Sequence, residues 1–171
     1  MGDFMKKQRG FSLIELLIVV AIILIIAAIA IPNLLRAKMA ANEASAVSAI
    51  RTITTAETTY ASTWGSGYAL DLASLGGIIS PCVATAAAAC IIDQTLSSGT
   101  KAGYKFVAAG NTLTGGTFNA FEANATPVAV GVTGQRAFCT DQTGVIRFNA
   151  TGVAIGTGAG SCAVAALLIG D

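Results

Sequence analysis

The chain lacks histidine and is poor in charge, in proline and in tryptophan. None of its 171 residues is histidine, 11% are charged, three are proline and one is tryptophan. Without histidine, general acid–base chemistry would fall to carboxylates, and those beyond residue 60 stand singly in the sequence. No serine stands in a nucleophile-elbow pattern, and no glycine-rich phosphate loop precedes a helix. We therefore expect that the chain is not an enzyme.

The shortage of charge also limits the classes of ligand. The net charge is only +1, and the first ten residues carry Lys6, Lys7 and Arg9. The rest of the chain has none of the strong basic field of a nucleic-acid binder, so we expect no nucleic-acid partner. Without histidine or a CxxC spacing, and with only Asp141 and Asp171 near the C-terminus, we expect no metal site and no cofactor.

One segment has no polar side chain at all. Leu16–Ile31 is wholly apolar, and Glu15 is the only ionisable residue of Phe11–Ile31. As a helix rising about 1.5 Å per residue, these 21 residues would cross a hydrocarbon core about 30 Å thick. The basic residues before the segment predict a cytoplasmic N-terminus and an exported remainder. The run is too long for a cleaved signal peptide, which leaves open an uncleaved anchor for a periplasmic ligand-binding domain.

A more specific interpretation comes from Gly10 followed by FSLIELLIVVAIILIIAAIAIP. This stretch joins a short basic leader ending in glycine to an aromatic, a carboxylate and, after the apolar run, Pro32. It resembles the N-termini of type IV pilins and of type II secretion pseudopilins, over roughly residues 5–60. The resemblance implies that residues 1–10 are a leader, cut between Gly10 and Phe11 by a prepilin peptidase at the cytoplasmic face. It also implies N-methylation of Phe11.

Glu15 requires a physical reason, because a carboxylate in an apolar helix is costly. The resemblance implies that Glu15 meets the new Phe11 ammonium of a neighbouring subunit in a staggered stack of helices, each charge neutralising the other. In the alternative interpretation, Glu15 only complements the dipole of its own helix, which is worth about 0.3–1 kcal/mol. We favour the role in assembly.

The helical pattern continues past Pro32, which removes a backbone donor and is expected to kink the helix. No further glycine or proline occurs before Gly65, so residues 11–31 and an amphipathic continuation, 32–63, predict one helix of about 50 residues. The predicted core face consists of Ala46, Ala49, Ile50, Ile53, Ala56 and Tyr60. Five charged residues are assigned to the other faces, namely Arg36, Lys38, Glu43, Arg51 and Glu57.

Residues 64–103 form a predicted connecting region, in which Leu70, Leu72 and Leu75 anchor a short turn and Ala86–Ala89 is either helix or loop. Residues 104–171 have a strand-like pattern broken by glycine and asparagine, which predicts an antiparallel sheet of about four strands with a hairpin turn at residues 141–144. The predicted face over the helix contains Phe106, Phe118, Phe121, Phe138 and Phe148. The fold class is therefore α+β, a long N-terminal helix packed on a C-terminal antiparallel sheet.

Four cysteines in an exported region favour two disulfides, and three pairings exist. Cys82 and Cys90 are close enough in sequence to be bridged. We favour this pair together with Cys139 and Cys162, which would fix the C-terminal tail to the last hairpin.

Taken with the resemblance, these features predict a structural subunit of a bacterial type IV pilus-like filament. The precursor would cross the inner membrane once, and a pilus or secretion assembly machinery would pack it into a homo-oligomeric extracellular filament. A pseudopilin forming a short periplasmic filament is the alternative within the resemblance. Motility, adhesion, DNA uptake and conduction all remain open as roles of the filament.

Overall fold

The computed structural model describes residues 10–77, 81–165 and 167–168, so the predicted leader lies outside the described residues except for Gly10. The chain divides into two compact units, Met1–Ala37 and Lys38–Asp171. Helix α1, Leu13–Trp64, begins in the first unit and ends in the second, and it includes Pro32. Its 52 residues agree with the single long helix predicted from the lack of helix breakers before Gly65.

The second unit continues with short helices and strands. The helices are α2, Leu72–Leu75; α3, Gln94–Ser97; and α4, Ser161–Ala165. The strands are β1, Thr100–Lys101; β2, Tyr104–Thr114; β3, Thr117–Pro127; β4, Ala137–Asp141; β5, Arg147–Asn149; and β6, Leu167–Leu168. Asp71 and Asp93 cap α2 and α3 by accepting hydrogen bonds from the backbone N–H groups of Ser74 and Leu96.

The strands form one antiparallel sheet in the order β1-β2-β3-β4-β5-β6. The α+β fold class is confirmed. The predicted four strands correspond to β2–β5, and the two additional strands, β1 and β6, are only two residues long. Strand β4 ends in a turn in which Gly144 N–H donates to the Asp141 carbonyl, as the hairpin signal predicted.

The core lies between one face of the sheet and the part of α1 within the second unit. All six residues of the predicted helix face are buried there. They pack in one cluster with Phe106, Phe121 and Phe138, whereas Phe148 is partly buried and Phe118 is half-buried outside the cluster. The 3.6-residue period therefore identified the buried face of the helix.

Three details of the prediction were wrong or undecided. Glu43 and Glu57 were assigned to faces of α1 other than the core face, but both are buried, with backbone N–H groups from other segments bonded to their carboxylates. Leu70 is 60% exposed, so only Leu72 and Leu75 anchor the turn. The alanine run is a loop, closed by an antiparallel bridge between Thr85 and Ala88.

The second face of the sheet is covered by residues 152–162, here called the C-terminal strap. Asn111 and Asn124 donate side-chain hydrogen bonds to the Thr157 and Ile155 carbonyls at 2.8 and 2.6 Å. Cys162 N–H donates to the Glu122 carboxylate at 3.0 Å. Because both faces of β3 are covered, Phe121–Ala125 are all buried, whether they are apolar or polar.

Candidate assembly segment and its supports

The first unit exposes almost all of its apolar side chains. From Phe11 to Ile31 the large hydrophobic residues are 46–79% exposed, with Val20 the least. Among the described residues, α1 is the one helix that is long and apolar enough to cross a membrane, judged by length and composition. A helix that is apolar all round is covered either by lipid or by other helices.

Glu15 lies in the first turn of α1, and its Oε2 accepts a hydrogen bond from Ser12 N–H at 3.0 Å. This contact is one half of a capping box, in which a glutamate three residues after the N-cap serine satisfies a free backbone donor. The Ser12-x-x-Glu15 spacing signals this cap, and the sequence analysis missed it. Because the bond uses Oε2, Glu15 Oε1 is available to a second donor.

The predicted cleavage position adjoins this cap. Gly10 and Phe11 precede the helix and are exposed, and a Cβ added at Gly10 would have no atom within 4 Å. Phe11 is 79% exposed. Cleavage between Gly10 and Phe11, methylation of Phe11 and the kink at Pro32 remain predictions.

The structure contains two disulfides, Cys82–Cys90 and Cys139–Cys162, which are the two pairs favoured from the sequence. The first closes the loop that contains the alanine run, and the Tyr60 hydroxyl on α1 donates to the Ala86 carbonyl within it at 2.7 Å. The second joins β4 to the start of α4, in a buried cluster with Ala137 and Ile155. It therefore fixes the C-terminal strap to the sheet.

Four carboxylates of the second unit have few or no solvent contacts. Glu43 pairs with Arg136 at 2.7 Å, and Asp141 pairs with Arg147 at 3.2 Å and also bonds to Thr143. Burial acts to raise the pKa of both Glu43 and Asp141, but their hydrogen bonds and arginine partners outweigh it and lower both pKa values. These two carboxylates are stable as anions.

The pKa values of Glu57 and Glu122 are shifted in the opposite direction. Each bonds through Oε2 to a backbone N–H, and the Oε1 of each is buried without a hydrogen-bond partner in the part of the chain that the structure describes. Burial raises the pKa of Glu57 to about 7 and raises that of Glu122, and in Glu122 the nearby amides of α4 oppose the rise. No group of three or more potential metal-ligating side chains occurs in the described part of the chain.

Comparisons with known proteins match only part of the chain. A family model described as the prokaryotic N-terminal methylation motif matches residues 5–31. Over 39 residues, 23% of this chain and 30% of the relative, the sequence is 62% identical to the type IV wide pilus major component PilA4 of Thermus thermophilus. Over 57 residues, 33% of this chain and 26% of the relative, it is 44% identical to the type IV major pilin protein PilA of Myxococcus xanthus.

The chain thus spans less than a third of the length of either relative, and no solved structure matches it. Both relatives are named as pilus components, which agrees with the expectation that the chain is not an enzyme. The methylation motif, the two partial pilin relatives and an α+β fold that begins with a long apolar helix together make the chain similar to type IV pilins.

Proposed function

We propose that the chain is a structural subunit of a pilus filament that polymerises through Phe11–Ile31. The observation that carries the proposal is the exposure of this apolar segment, in which every large hydrophobic side chain is at least 46% exposed. Burying apolar surface is worth about 25 cal/mol per Å², so a segment of this size does not remain in water. A bilayer can cover it in the precursor, and neighbouring copies can cover it in the filament.

The methylation motif and the pilin relatives support a defined order of events. The precursor enters the inner membrane with residues 1–10 on the cytoplasmic side, and a prepilin peptidase cuts between Gly10 and Phe11. The Phe11 amino group is methylated, and the assembly machinery transfers the subunit into a homo-oligomeric helical filament outside the cell. The Ser12–Glu15 bond keeps the first helical turn closed next to the cut.

The test is the location and N-terminus of the protein in cells that produce it. Filaments are sheared from intact cells, and the N-terminal residue and mass of the chain are determined in the sheared and membrane fractions. We expect N-methylated Phe11 in long sheared filaments. A Gly10→Leu variant serves as a control, because blocking the cut should keep the chain in the membrane fraction with its leader intact.

Two outcomes would contradict the proposal in different ways. A processed chain confined to the membrane and periplasm would indicate the pseudopilin of a type II secretion system. A wild-type chain with an intact leader in the membrane would indicate an uncleaved signal anchor that holds a periplasmic domain.

A further inference from the structure

Glu57 is a carboxylate enclosed by the core of the second unit. It is 0% exposed and lies on the buried face of α1 with Ile53 and Tyr60. Its Oε2 accepts a hydrogen bond from Ala69 N–H at 2.8 Å. Ala69 is itself 0% exposed, so water does not compete for this bond. A side chain of the helix therefore holds the backbone of the segment that follows it.

The other oxygen of Glu57 is not bonded by any of the residues that the structure describes. Among those residues, Glu57 Oε1 is buried without a hydrogen-bond donor and none of the salt bridges includes Glu57. A buried anion with a single neutral donor is strongly disfavoured, whereas a buried neutral carboxylic acid is much less costly. The packing around Glu57 therefore favours the protonated side chain.

The nearby charge acts in the same direction. Asp71, in the segment bonded to Glu57, is the charged side chain that acts on it, and its negative charge disfavours a second anion. Arg51, the preceding charged residue on α1, is exposed. The strand residues that contact the segment, Ala109, Gly110 and Phe118, are uncharged. Burial raises the pKa of Glu57 to about 7 with a smaller contribution from Asp71, although the Ala69 N–H bond, which favours the anion, acts to lower it.

The segment held by Glu57, residues 65–71, is here called the clasp segment. It also bonds to the sheet: Tyr68 N–H donates to the Phe118 carbonyl at 2.9 Å, and Gly110 N–H donates to the Leu70 carbonyl at 3.1 Å. An antiparallel bridge joins Asp71 to Ala109 on β2. The clasp segment thus lies along β2 and β3, and the Glu57–Ala69 bond ties it to α1.

We propose that Glu57 is a pH-sensitive clasp, whose protonated side chain holds the clasp segment on α1 in acidic surroundings and whose ionisation loosens that segment as the pH rises towards neutrality. The inference depends on the fold of the second unit and not on the role of the chain in a filament. It gives an exported protein a local structure that responds to the pH of the medium outside the membrane.

The direction of the effect follows from proton linkage. In the closed state Glu57 keeps its proton up to a pH of about 7, whereas in an opened, solvated state it loses the proton near its ordinary pKa of 4.5. Between these values the open state binds fewer protons, so opening becomes more favourable by up to about tenfold per pH unit. Above pH 7 both states are ionised and the dependence levels off.

Amide hydrogen exchange of the clasp segment in the full-length chain, in detergent micelles, tests this proposal. Exchange is followed by mass spectrometry from pH 5 to pH 8 and corrected for the intrinsic pH dependence of exchange. We expect protection of residues 66–71 to fall by about tenfold per pH unit up to pH 7 and then to level off. Protection that is constant or rises over this range would overturn the proposal.

Two variants separate a titrating clasp from a merely structural contact. Glu57→Gln cannot ionise, so its protection should be independent of pH. Asp71→Asn removes the neighbouring charge and keeps a capping side chain, so the levelling-off should move to lower pH. Asp93→Asn, which changes the same kind of cap on α3, is the matched control and should leave the profile unchanged. If Glu57→Gln does not fold, a wild-type profile that does not level off near pH 7 would still refute the proposal.

Discussion

The carboxylate of Glu43 accepts two hydrogen bonds from the Arg136 guanidinium, at 2.9 Å from Nε and 2.7 Å from Nη2. Its Oε1 also accepts the backbone N–H groups of Gln135 and Arg136. The guanidinium lies over the rings of Phe138 and Phe148, at 5.5 and 5.4 Å from their centroids. One side chain of α1 thereby fixes the residues that lead into β4.

Glu43→Ala should destabilise the second unit by about 2–3 kcal/mol, because it leaves two backbone donors and a half-buried guanidinium without their acceptor. Arg136→Lys should cost about 1 kcal/mol, since it keeps the charge but loses the paired geometry. Arg51→Ala is the matched control, because Arg51 is exposed on the same helix and no salt bridge among the described residues includes it. Unfolding is followed by the fluorescence of Trp64, the only tryptophan. A loss below 1 kcal/mol for Glu43→Ala would contradict the assigned role.

The lowered pKa of Asp141 makes the free energy of unfolding depend on pH in the acidic range. Its pKa is lowered in the folded chain, because its bonds to Thr143 and Arg147 outweigh its burial. Its contribution is therefore present above its ordinary pKa of 3.8 and is lost as the pH falls through the lowered folded value.

Asp141→Asn should be about 2 kcal/mol less stable than the wild type at pH 7, since it removes the charge that pairs with Arg147. The difference should shrink as the pH falls below 3.8 and through the lowered pKa of the folded carboxyl. Thermal unfolding of both proteins in micelles across this range measures it. A difference that stays constant with pH would show that the charge of Asp141 is not what stabilises the fold.

The sequence predicted the features that depend on local periodicity. Ala46, Ile50 and Ile53 recur with the helical period and are buried, since such spacing places them on one face. Glu43 and Glu57 were wrongly predicted to lie off the buried face, although both continue this spacing at three and four residues from their apolar neighbours. A charged residue is ordinarily assigned to solvent, and only the folded chain provides the distant backbone donors near residues 69 and 135 that allow burial.

Local sequence pattern also could not predict that the C-terminal strap covers the second face of the sheet. The C-terminal strap has no helical or strand period, and asparagine side chains and one disulfide hold it in place. Its effect is the unbroken burial of polar and apolar residues along β3, which only the structure shows. In the N-terminal unit, by contrast, the sequence is sufficient, because composition alone identifies a segment that can cross a membrane.

A substitution at Gly67 provides a second test of how the clasp segment packs. It has a φ of +78°, and a Cβ there would overlap the Phe118 carbonyl oxygen and crowd the Thr117 side chain. Gly65 has a similar φ of +63°, with no atom within 4 Å of an added Cβ. The two glycines share the same backbone cost of substitution, and only Gly67 adds a steric one.

Gly65→Ala should cost about 1 kcal/mol of unfolding free energy, the usual penalty of a left-handed alanine. Gly67→Ala should cost at least about 2 kcal/mol more, because the clasp segment must move away from β3. Unfolding in micelles, monitored through Trp64, compares the two variants. Equal losses would mean that the clasp segment is not closely packed against Phe118.

Glu15 provides the final prediction, because the structure gives it a local role as well as the proposed role in assembly. Its bond to Ser12 N–H would be kept by glutamine, whose side-chain oxygen also accepts in a capping box, and lost in alanine. The charge that would pair with a neighbouring Phe11 ammonium is lost in both variants. Glu15→Gln therefore separates the two roles, which Glu15→Ala alone does not.

If the charge directs assembly, both variants should enter the membrane and be cut after Gly10, and both should form at least about tenfold fewer filaments than the wild type. A charge at a helix N-terminus is worth only about 0.3–1 kcal/mol, so the loss of this local effect alone is not expected to reduce filament number so strongly. Filaments are counted by electron microscopy of sheared fractions, and cleavage is measured from the mass of the membrane-bound chain. Normal filament numbers in Glu15→Gln with a deficit in Glu15→Ala would assign Glu15 to capping alone. The stagger between subunits would then have to come from the shape of the apolar helices rather than from a buried ion pair.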